Sequence, residues 1–205
     1  MVRVARRDGI QRRNEILDAA LQCFDRRGLL ATGIEDIRRA AGASPSSVYH
    51  LFGGFGGLTF ALLIRTFERV GAHLQRDVLA SATAHDAVCA LVNAHLTWVE
   101  GNRVEARFMY QAMALELAAD RAADLADEKQ RLLAPVMSRL AQVAGPGELP
   151  EWTPEQLQTV LLGPSHDACR RMLATGEGDL AWARAVLPEL AWRSIQIVGS
   201  SLQLE

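Results

Sequence analysis

The sequence predicts an all-α protein with a small basic N-terminal domain and a larger helical C-terminal domain. Apolar residues recur every three or four positions through almost all of the 205 residues, and no stretch alternates as a strand would. Residues 1–52 carry nine arginines against six carboxylates, whereas the remainder carries thirteen basic and eighteen acidic residues. Because a glycine-rich stretch at 53–57 separates the two regions, we predict domains at 1–53 and 54–205.

The composition excludes several classes of protein. Hydrophobic residues make up 49% and charged residues 22%, which is ordinary for a globular chain. No run of 18 apolar residues and no N-terminal apolar segment is present, so we expect neither a membrane span nor a secretory signal. The three cysteines, Cys23, Cys89 and Cys169, are too few and too widely spaced for a disulfide framework or a CxxC-type metal site. We therefore expect a cytoplasmic protein without a metal or another cofactor.

The helices can be placed by their periodicity and their end signals. The first is predicted over 15–27, with Ile16, Ala20 and Phe24 on one face and Gly28 as its stop signal. Two short helices should follow at 34–41 and 45–51. The C-terminal region should hold six more, at 63–78, 88–101, 103–118, 125–143, 154–175 and 179–199, with a loop at 145–150. Prolines inside the last three should bend them.

The most informative segment is Thr32–Phe52, which reads TGIEDIRRAAGASPSSVYHLF. Ile34, Ile37 and Ala41 share one face of a short helix, and Gly42 can adopt the left-handed conformation that ends it. Ser44 is a suitable N-cap for the next helix, and Pro45 suits its first position. With Val48 and Phe52 facing inward, the outward set is polar: Ser46, Ser47, Tyr49 and His50. Two short helices joined in this way form a helix-turn-helix, whose second helix fits the major groove of DNA.

Residues 15–62 resemble the DNA-binding domain of the TetR-type transcriptional repressors. The resemblance rests on ILDAALQCFDRRG, TGIEDIRRAAGAS and SSVYHLF as they stand in the sequence. It implies that residues 45–51 are the recognition helix, that the start of the preceding helix holds a phosphate, and that Tyr49 reaches a phosphate. The arginines ahead of Glu15 would add backbone or minor-groove contacts. The implied DNA-binding residues are Thr32, Gly33, Ser44, Pro45, Ser46, Ser47, Tyr49 and His50.

Three positions depart from the pattern of that family. Gly33 stands where the family has Ser or Thr, and Arg38 stands where it has a small residue. Phe55 replaces a lysine that touches a phosphate, within a GGFGG stretch that we expect to be a loosened hinge. We therefore predict weaker and less salt-dependent binding to an operator than is typical of the family.

The resemblance also implies that the C-terminal domain binds a small effector and forms a homodimer through the last two helices. Apolar stripes favour this pairing, although the same stripes could complete a monomeric core: Leu157, Leu161, Ala168 and Met172, then Leu180, Leu187, Ala191, Ile195 and Val198. One recognition helix reads too few base pairs alone, so we expect a dimer on a palindromic operator. Candidate ligand-binding residues, each of which could equally be core, are His95, Trp98, Met109, Tyr110, Met113 and His166. They favour a mostly apolar effector.

Two other functions compete with a ligand-responsive repressor. An enzyme would need a catalytic constellation. His166-Asp167 with Cys169 is the one candidate cluster, but only positions 166 and 169 share a helix face, and a third ligand is missing. We therefore expect no enzymatic activity. The alternative that remains open is a helical small-molecule-binding protein whose specific DNA binding is weakened or lost, because of Phe55 and the surrounding glycines.

Overall fold

Helices account for the regular structure of the chain, as the sequence predicts. The computed structural model describes residues 2–116, 122–176 and 178–201, with side chains described for 9–114, 123–176 and 178–196. These residues form nine helices and no strand: α1 (Val2–Arg27), α2 (Ile34–Ala40), α3 (Pro45–Phe52), α4 (Phe55–Val78), α5 (Ala84–Gly101), α6 (Arg103–Glu116), α7 (Ala122–Val143), α8 (Pro154–Thr175) and α9 (Leu180–Ser201). The predicted all-α class is confirmed.

Helix α1 begins much earlier than the predicted start at residue 15. Arginine-rich residues 2–14 give no apolar stripe, yet arginine is a good helix former and the helix extends through them. The predicted apolar face is confirmed, since Ile16 and Ala20 are fully buried and Phe24 is nearly so. Gly28 follows with a positive φ of 82°, as its role in stopping the helix requires.

The glycine-rich stretch is not the loose spacer that the sequence analysis expected. Only Gly53 and Gly54 break the backbone, and α4 begins at Phe55. A Cβ on Gly57 would lie 1.8 Å from the carbonyl oxygen of Phe52, so a glycine there lets α4 start directly against the end of α3. The stretch is therefore a tight corner between two helices.

The chain divides into two compact units, and the division differs from the predicted boundary at 53/54. The first unit comprises Met1–Thr66 with Val104–Arg121, and the second comprises Phe67–Arg103 with Ala122–Glu205. Sequence signals at Gly53 mark the end of α3, whereas the first half of α4 and most of α6 group with α1–α3. The boundary between the units falls inside α4, between Thr66 and Phe67. The helix is continuous there, so the sequence composition does not mark the boundary.

Most of the apolar stripe residues of the last two helices are buried by packing within one chain. Helix α5 packs against α7, α8 and α9, and α8 packs against α9. The stripe positions that this packing buries are Leu157, Leu161 and Met172 on α8 and Leu180, Leu187, Ala191 and Ile195 on α9. Ala168 is half-buried, and the side chain of Val198 lies outside the described residues. The buried positions complete the core of the second unit, which is the other interpretation that the stripes allowed, and the homodimer stays a prediction.

Within the described part of the chain, no single helix is both long and apolar enough to cross a bilayer. Helices α3 and α4 meet the length and composition criteria only when taken together, and they are bent by 60° at their junction.

Candidate nucleic-acid interface

Ser44 and Pro45, which the sequence analysis selected, fix the start of helix α3, and Gly53 fixes its end. The side-chain oxygen of Ser44 accepts a hydrogen bond from the backbone N–H of Ser47 at 3.2 Å, which satisfies one N–H of the first turn. Pro45 occupies the first helical position, and Gly53 ends the helix with a φ of 72°. The predicted N-cap at Ser44 and first position at Pro45 are confirmed, and α3 is a short helix with defined ends.

The two faces of α3 differ as predicted. Val48 and Phe52 are buried, whereas 56% of Tyr49 is exposed. Ser46 and His50 are also exposed, and Ser47 is half-buried. The exposed side therefore carries two hydroxyl groups and an imidazole, which are groups that can donate to and accept from base edges and phosphates.

The serines at the start of α3 bond to one another. The Ser44 hydroxyl lies 3.0 Å from the Ser46 hydroxyl and 2.8 Å from that of Ser47. This serine cluster (Ser44, Ser46 and Ser47) places three hydroxyl groups at the N-terminal end of the helix. Its members hold each other in position before any partner is present.

Two arginines hold the turn between α2 and α3, a role that sequence reasoning missed. Arg12 of α1 donates to the carbonyl oxygen of Gly42 at 2.7 Å, and Arg38 donates to the carbonyl of Ala43 at 3.2 Å. Each also pairs with a nearby carboxylate, Arg12 with Glu15 at 3.0 Å and Arg38 with Glu35 at 2.7 Å. The unusual Arg38 is thereby explained, because its side chain reaches forward to the turn that follows α2.

The beginning of α2 differs from the expected phosphate site. Thr32 is buried and its hydroxyl donates to the carbonyl oxygen of Gly28 at 2.8 Å, so this side chain does not face a partner. The N–H of Gly33 donates to a carboxylate oxygen of Asp36 at 3.1 Å, and this hydrogen bond is the main cause that lowers the pKa of Asp36. Burial argues against the predicted phosphate contact of Thr32, which stays a prediction, and the N–H of Gly33 already has an acidic partner from its own helix.

Phe55 belongs to a row of aromatic rings inside the first unit. Its ring stands edge-on to that of Phe24, with the centroids 6.1 Å apart, and Phe24 stacks on Phe108 at 5.3 Å. A lysine has no ring for this edge-on contact, and it would bring a positive charge beside the other rings. Phe55 thus gives packing at the position where the family pattern gives a cation.

The positive charge of the N-terminal region is partly neutralised inside the fold. Besides Arg12 and Arg38, Arg27 of α1 pairs with Asp36 of α2 at 2.8 Å. Arg13 lies over the ring of Phe52, with its guanidinium carbon 5.5 Å from the centroid. The side chains of Arg3, Arg6 and Arg7, which were expected to contact DNA, lie outside the described residues.

The structure separates the predicted ligand-binding residues into two groups. Met109, Tyr110 and Met113 lie on α6 within the first unit, where Met109 is buried and the other two are half-buried. His95, Trp98 and His166 lie in the second unit, where the rings of His95 and His166 stack with centroids 4.4 Å apart. His95 is buried with its Nδ1 atom 3.1 Å from the Ser165 hydroxyl, and Trp98 is buried as well. Their role in ligand binding stays a prediction.

The geometry defines a class first: residues 34–52 form a helix-turn-helix whose second helix presents a polar face. Residues 16–62 match the family model described as "Bacterial regulatory proteins, tetR family". The predicted resemblance is confirmed, and this segment is a TetR-family helix-turn-helix domain.

Curated relatives and solved structures agree with this assignment. The chain is 28% identical over 122 residues to the HTH-type transcriptional regulator BetI of Brucella canis, which covers 60% of this chain and 58% of that protein. It is 32% identical over 133 residues to BetI of Rhizobium meliloti, covering 63% and 60%. Both alignments span less than two thirds of the relatives' length.

Two solved structures share the fold over most of the chain. A TetR family transcription regulator from Marinobacter aquaeolei has a TM-score of 0.73 at 16% identity, covering 93% of this chain and 97% of that one. The regulator FadR from Bacillus subtilis, solved in complex with stearoyl-CoA, has a TM-score of 0.67 at 16% identity, covering 88% and 98%. The helical domain that follows the helix-turn-helix is thus part of a fold shared with these proteins.

Proposed function

We propose that the protein is a transcriptional regulator that binds a palindromic operator as a homodimer and releases it when a small, mostly apolar effector binds. The observation that carries the proposal is the polar exposed face of α3, on a helix capped at both ends and anchored at its turn by two arginines. A recognition helix must keep its orientation to read bases, and these contacts fix it before DNA arrives.

Individual contacts follow from the positions on that face. Ser46, Ser47 and His50 are assigned to base edges or nearby phosphates, and Tyr49 is assigned to a phosphate through its hydroxyl. Ser44 and Pro45 act by shaping the start of the helix. Thr32 is left out as a side-chain contact because it is buried, and Gly33 is left out as a backbone contact because its N–H already donates to Asp36.

A homodimer is supported by the exposed apolar residues that remain on α9 after its core stripe is buried. Trp182 is 52% exposed and Leu190 is 47% exposed. Positions eight apart lie roughly on one face of a helix, so these two side chains belong to a common strip. A two-fold pairing would supply two recognition helices for half-sites about 34 to 36 Å apart.

Release by an effector would work through a shift in population. A ligand that prefers a conformation unsuited to the operator lowers the operator affinity by its differential binding to the two conformations. The stearoyl-CoA complex of FadR gives an example of a partly apolar ligand bound on this fold. The aromatic and methionine side chains on α5 and α6 are compatible with such chemistry.

The proposal is tested by fluorescence anisotropy with labelled DNA that flanks the protein's own gene. We expect specific binding at moderate salt that falls steeply in Tyr49→Phe and His50→Ala. Tyr110→Phe is the matched control, because it removes the other tyrosine hydroxyl of the chain and leaves α3 intact. If affinity for this DNA equals that for random DNA at every salt concentration, the alternative of a helical small-molecule-binding protein is favoured.

A further inference from the structure

We propose that His85, Cys89 and Glu189 form a binding site for Zn²⁺ on the surface of the second unit, a site independent of the DNA-binding face. His85 and Cys89 are four residues apart on α5 and share one face of that helix, while Glu189 approaches from α9. One ligand atom from each residue lies within 4.8 Å of the other two. The three residues thus offer one nitrogen, one sulfur and one oxygen to a common point.

The distances between these atoms fit a tetrahedral ion. The Nε2 atom of His85 lies 3.0 Å from a carboxylate oxygen of Glu189 and 3.7 Å from the sulfur of Cys89. Zinc bonds of about 2.0–2.1 Å to nitrogen, about 2.3 Å to sulfur and about 2.0–2.2 Å to oxygen would give tetrahedral edges of roughly 3.4 Å and roughly 3.6 Å for the same pairs. Shifts of a few tenths of an ångström would therefore fit these two pairs to the ion, and the Cys89 sulfur lies within 4.8 Å of the Glu189 oxygen.

Neighbouring residues support the ligand atoms from outside. The Nδ1 atom of His85 faces a carboxylate oxygen of Asp86 at 3.7 Å, on the ring edge opposite the proposed metal position. A carboxylate behind a ligating histidine is a common arrangement at zinc sites, because it orients the ring and raises its basicity. The ring also stands edge-on to Trp192, with centroids 5.5 Å apart, which limits its rotation.

The carboxylate of Glu189 has one oxygen for each of two partners. Arg193 donates to Oε1 at 2.7 Å, while Oε2 is the atom that faces His85. Arg193 therefore orients the carboxylate without occupying the oxygen that the metal would use. Its positive charge opposes a cation, and the charges of Asp86 and Glu189 offset it.

The mixed donor set selects the kind of metal. Mg²⁺ and Ca²⁺ take oxygen ligands almost exclusively, whereas thiolate and imidazole together suit Zn²⁺. The side chains of His85 and Glu189 are 45% and 46% exposed, so a fourth position is open to water or to an external ligand. The competing explanation is a metal-free ion pair between His85 and Glu189 that ties α5 to α9, with Cys89 as a bystander.

Cobalt binding separates the two explanations. Tag-free protein, treated with a chelator and dialysed, is titrated with Co²⁺ and then with Zn²⁺, using absorption and calorimetry. We expect one Co²⁺ per chain with a thiolate-to-cobalt charge-transfer band, and displacement of that band by Zn²⁺. Cys89→Ser should abolish the band, while Cys23→Ser, which changes a buried cysteine of the other unit, should keep it.

The remaining ligands are tested by affinity and by stability. Glu189→Gln and His85→Gln should each weaken Zn²⁺ binding by more than the roughly tenfold loss expected for the supporting variant Asp86→Asn. Zn²⁺ should raise the melting temperature of the wild type but not that of Cys89→Ser, because the ion joins α5 to α9. Alkylation of Cys89 should also slow when Zn²⁺ is present. Absence of the charge-transfer band, or equal Zn²⁺ affinity in Cys89→Ser and the wild type, overturns the proposal.

Discussion

At the scale of single residues, Gly57 decides how closely α4 can follow α3. A Cβ at this position would meet the backbone of Phe52, with the oxygen only 1.8 Å away, and backbone atoms move less easily than side-chain ends. Gly57→Ala should therefore lower the free energy of unfolding by about 1–3 kcal/mol, measured by urea denaturation.

A glycine one position earlier is the control for that variant. A Cβ on Gly56 meets nothing within 4 Å, and the residue lies in the same first turn of α4. Gly56→Ala should stabilise the protein by about 0.5–1 kcal/mol through the better helix propensity of alanine. Equal losses in both variants would show that the corner between α3 and α4 tolerates a side chain.

Phe55 packs inside the first unit at a position where the TetR-type pattern has a lysine, so its effect on the proposed DNA binding can be tested. Replacing it with lysine adds a cation at the position that contacts a phosphate in the TetR-type pattern. Phe55→Lys should steepen the slope of log K against log[salt] by about 0.9 for each added phosphate contact. Anisotropy titrations over a range of salt concentrations measure the slope.

The lysine variant also removes the edge-on contact with Phe24, so a neutral control is needed. Phe55→Leu removes the ring without adding charge, and its salt slope should equal that of the wild type. A slope that is the same in Phe55→Lys and Phe55→Leu would refute the assignment of position 55 to the DNA backbone.

At the scale of elements, the recognition helix depends on its N-cap. The Ser44 hydroxyl accepts a hydrogen bond from the N–H of Ser47. Because α3 has only eight residues, losing this bond removes a large share of the interactions that stabilise the helix. Ser44→Ala should lower the free energy of unfolding by about 1 kcal/mol, whereas Ser44→Asn, which can cap equally well, should lose little. Chemical denaturation of the three proteins makes the comparison, and a full loss in the asparagine variant would contradict a capping role.

Helix ends were predictable from sequence where a residue type has one local function. Ser44, Pro45 and Gly53 each act on their own helix, and the predicted bounds of α3 agree with the structure to within one residue. The start of α1 was missed because arginines carry helix propensity without an apolar pattern. Long-range partners were also missed: Arg12 bonds to Gly42 across 30 positions, and no local pattern records such a contact.

The same reasoning explains what sequence could show of the candidate sites. The outward set on α3 follows from helical geometry, and Ser46, Tyr49 and His50 are exposed as predicted, whereas Ser47 is half-buried. The pair His85 and Cys89 carries a visible spacing of four, but Glu189 lies 104 positions beyond His85 and joins them only through the packing of α5 on α9. The apolar stripes of α8 and α9 predict that these residues are buried. They do not show whether the same chain or a second copy buries them.

At the scale of the whole molecule, acid should weaken the second unit. Burial lowers the pKa of His166 to about 4, with smaller contributions from Lys129 and Arg170, and burial holds that of His95 well below its usual value. The unfolded chain binds protons near the ordinary value of 6.5, so below that pH it binds more protons than the folded chain. The free energy of unfolding should therefore fall as the pH drops from about 6.5 towards 4.

Comparing the wild type with His166→Gln isolates this contribution. The variant should show a shallower fall in the free energy of unfolding between neutral and acidic pH, whatever its stability at neutral pH. His85, whose pKa is raised by its hydrogen bond to Glu189, acts in the opposite sense and is common to both proteins. Parallel pH profiles would contradict a neutral, half-buried His166.

Assembly is tested on the exposed face of α9. If Trp182 and Leu190 lie in a two-fold contact, Leu190→Arg should shift the protein from dimer to monomer, measured by sedimentation velocity. Leu79→Arg is the matched control, because Leu79 is 45% exposed, close to the 47% of Leu190, and lies just after α4. A dimer that persists in Leu190→Arg, or a monomeric wild type, would contradict this assignment.

The serine cluster at the start of α3 has a consequence for how an operator would be selected. Two hydrogen bonds already join its three hydroxyls, so a contact that replaces one of them with a bond to a base edge adds little net attraction. A DNA sequence that offers no hydrogen-bond partner at that position leaves a serine hydroxyl unpaired, and it therefore binds less tightly. The serine cluster would therefore contribute specificity, by weakening the binding of mismatched sequences. Most of the affinity would have to come from groups that contact the sugar-phosphate backbone.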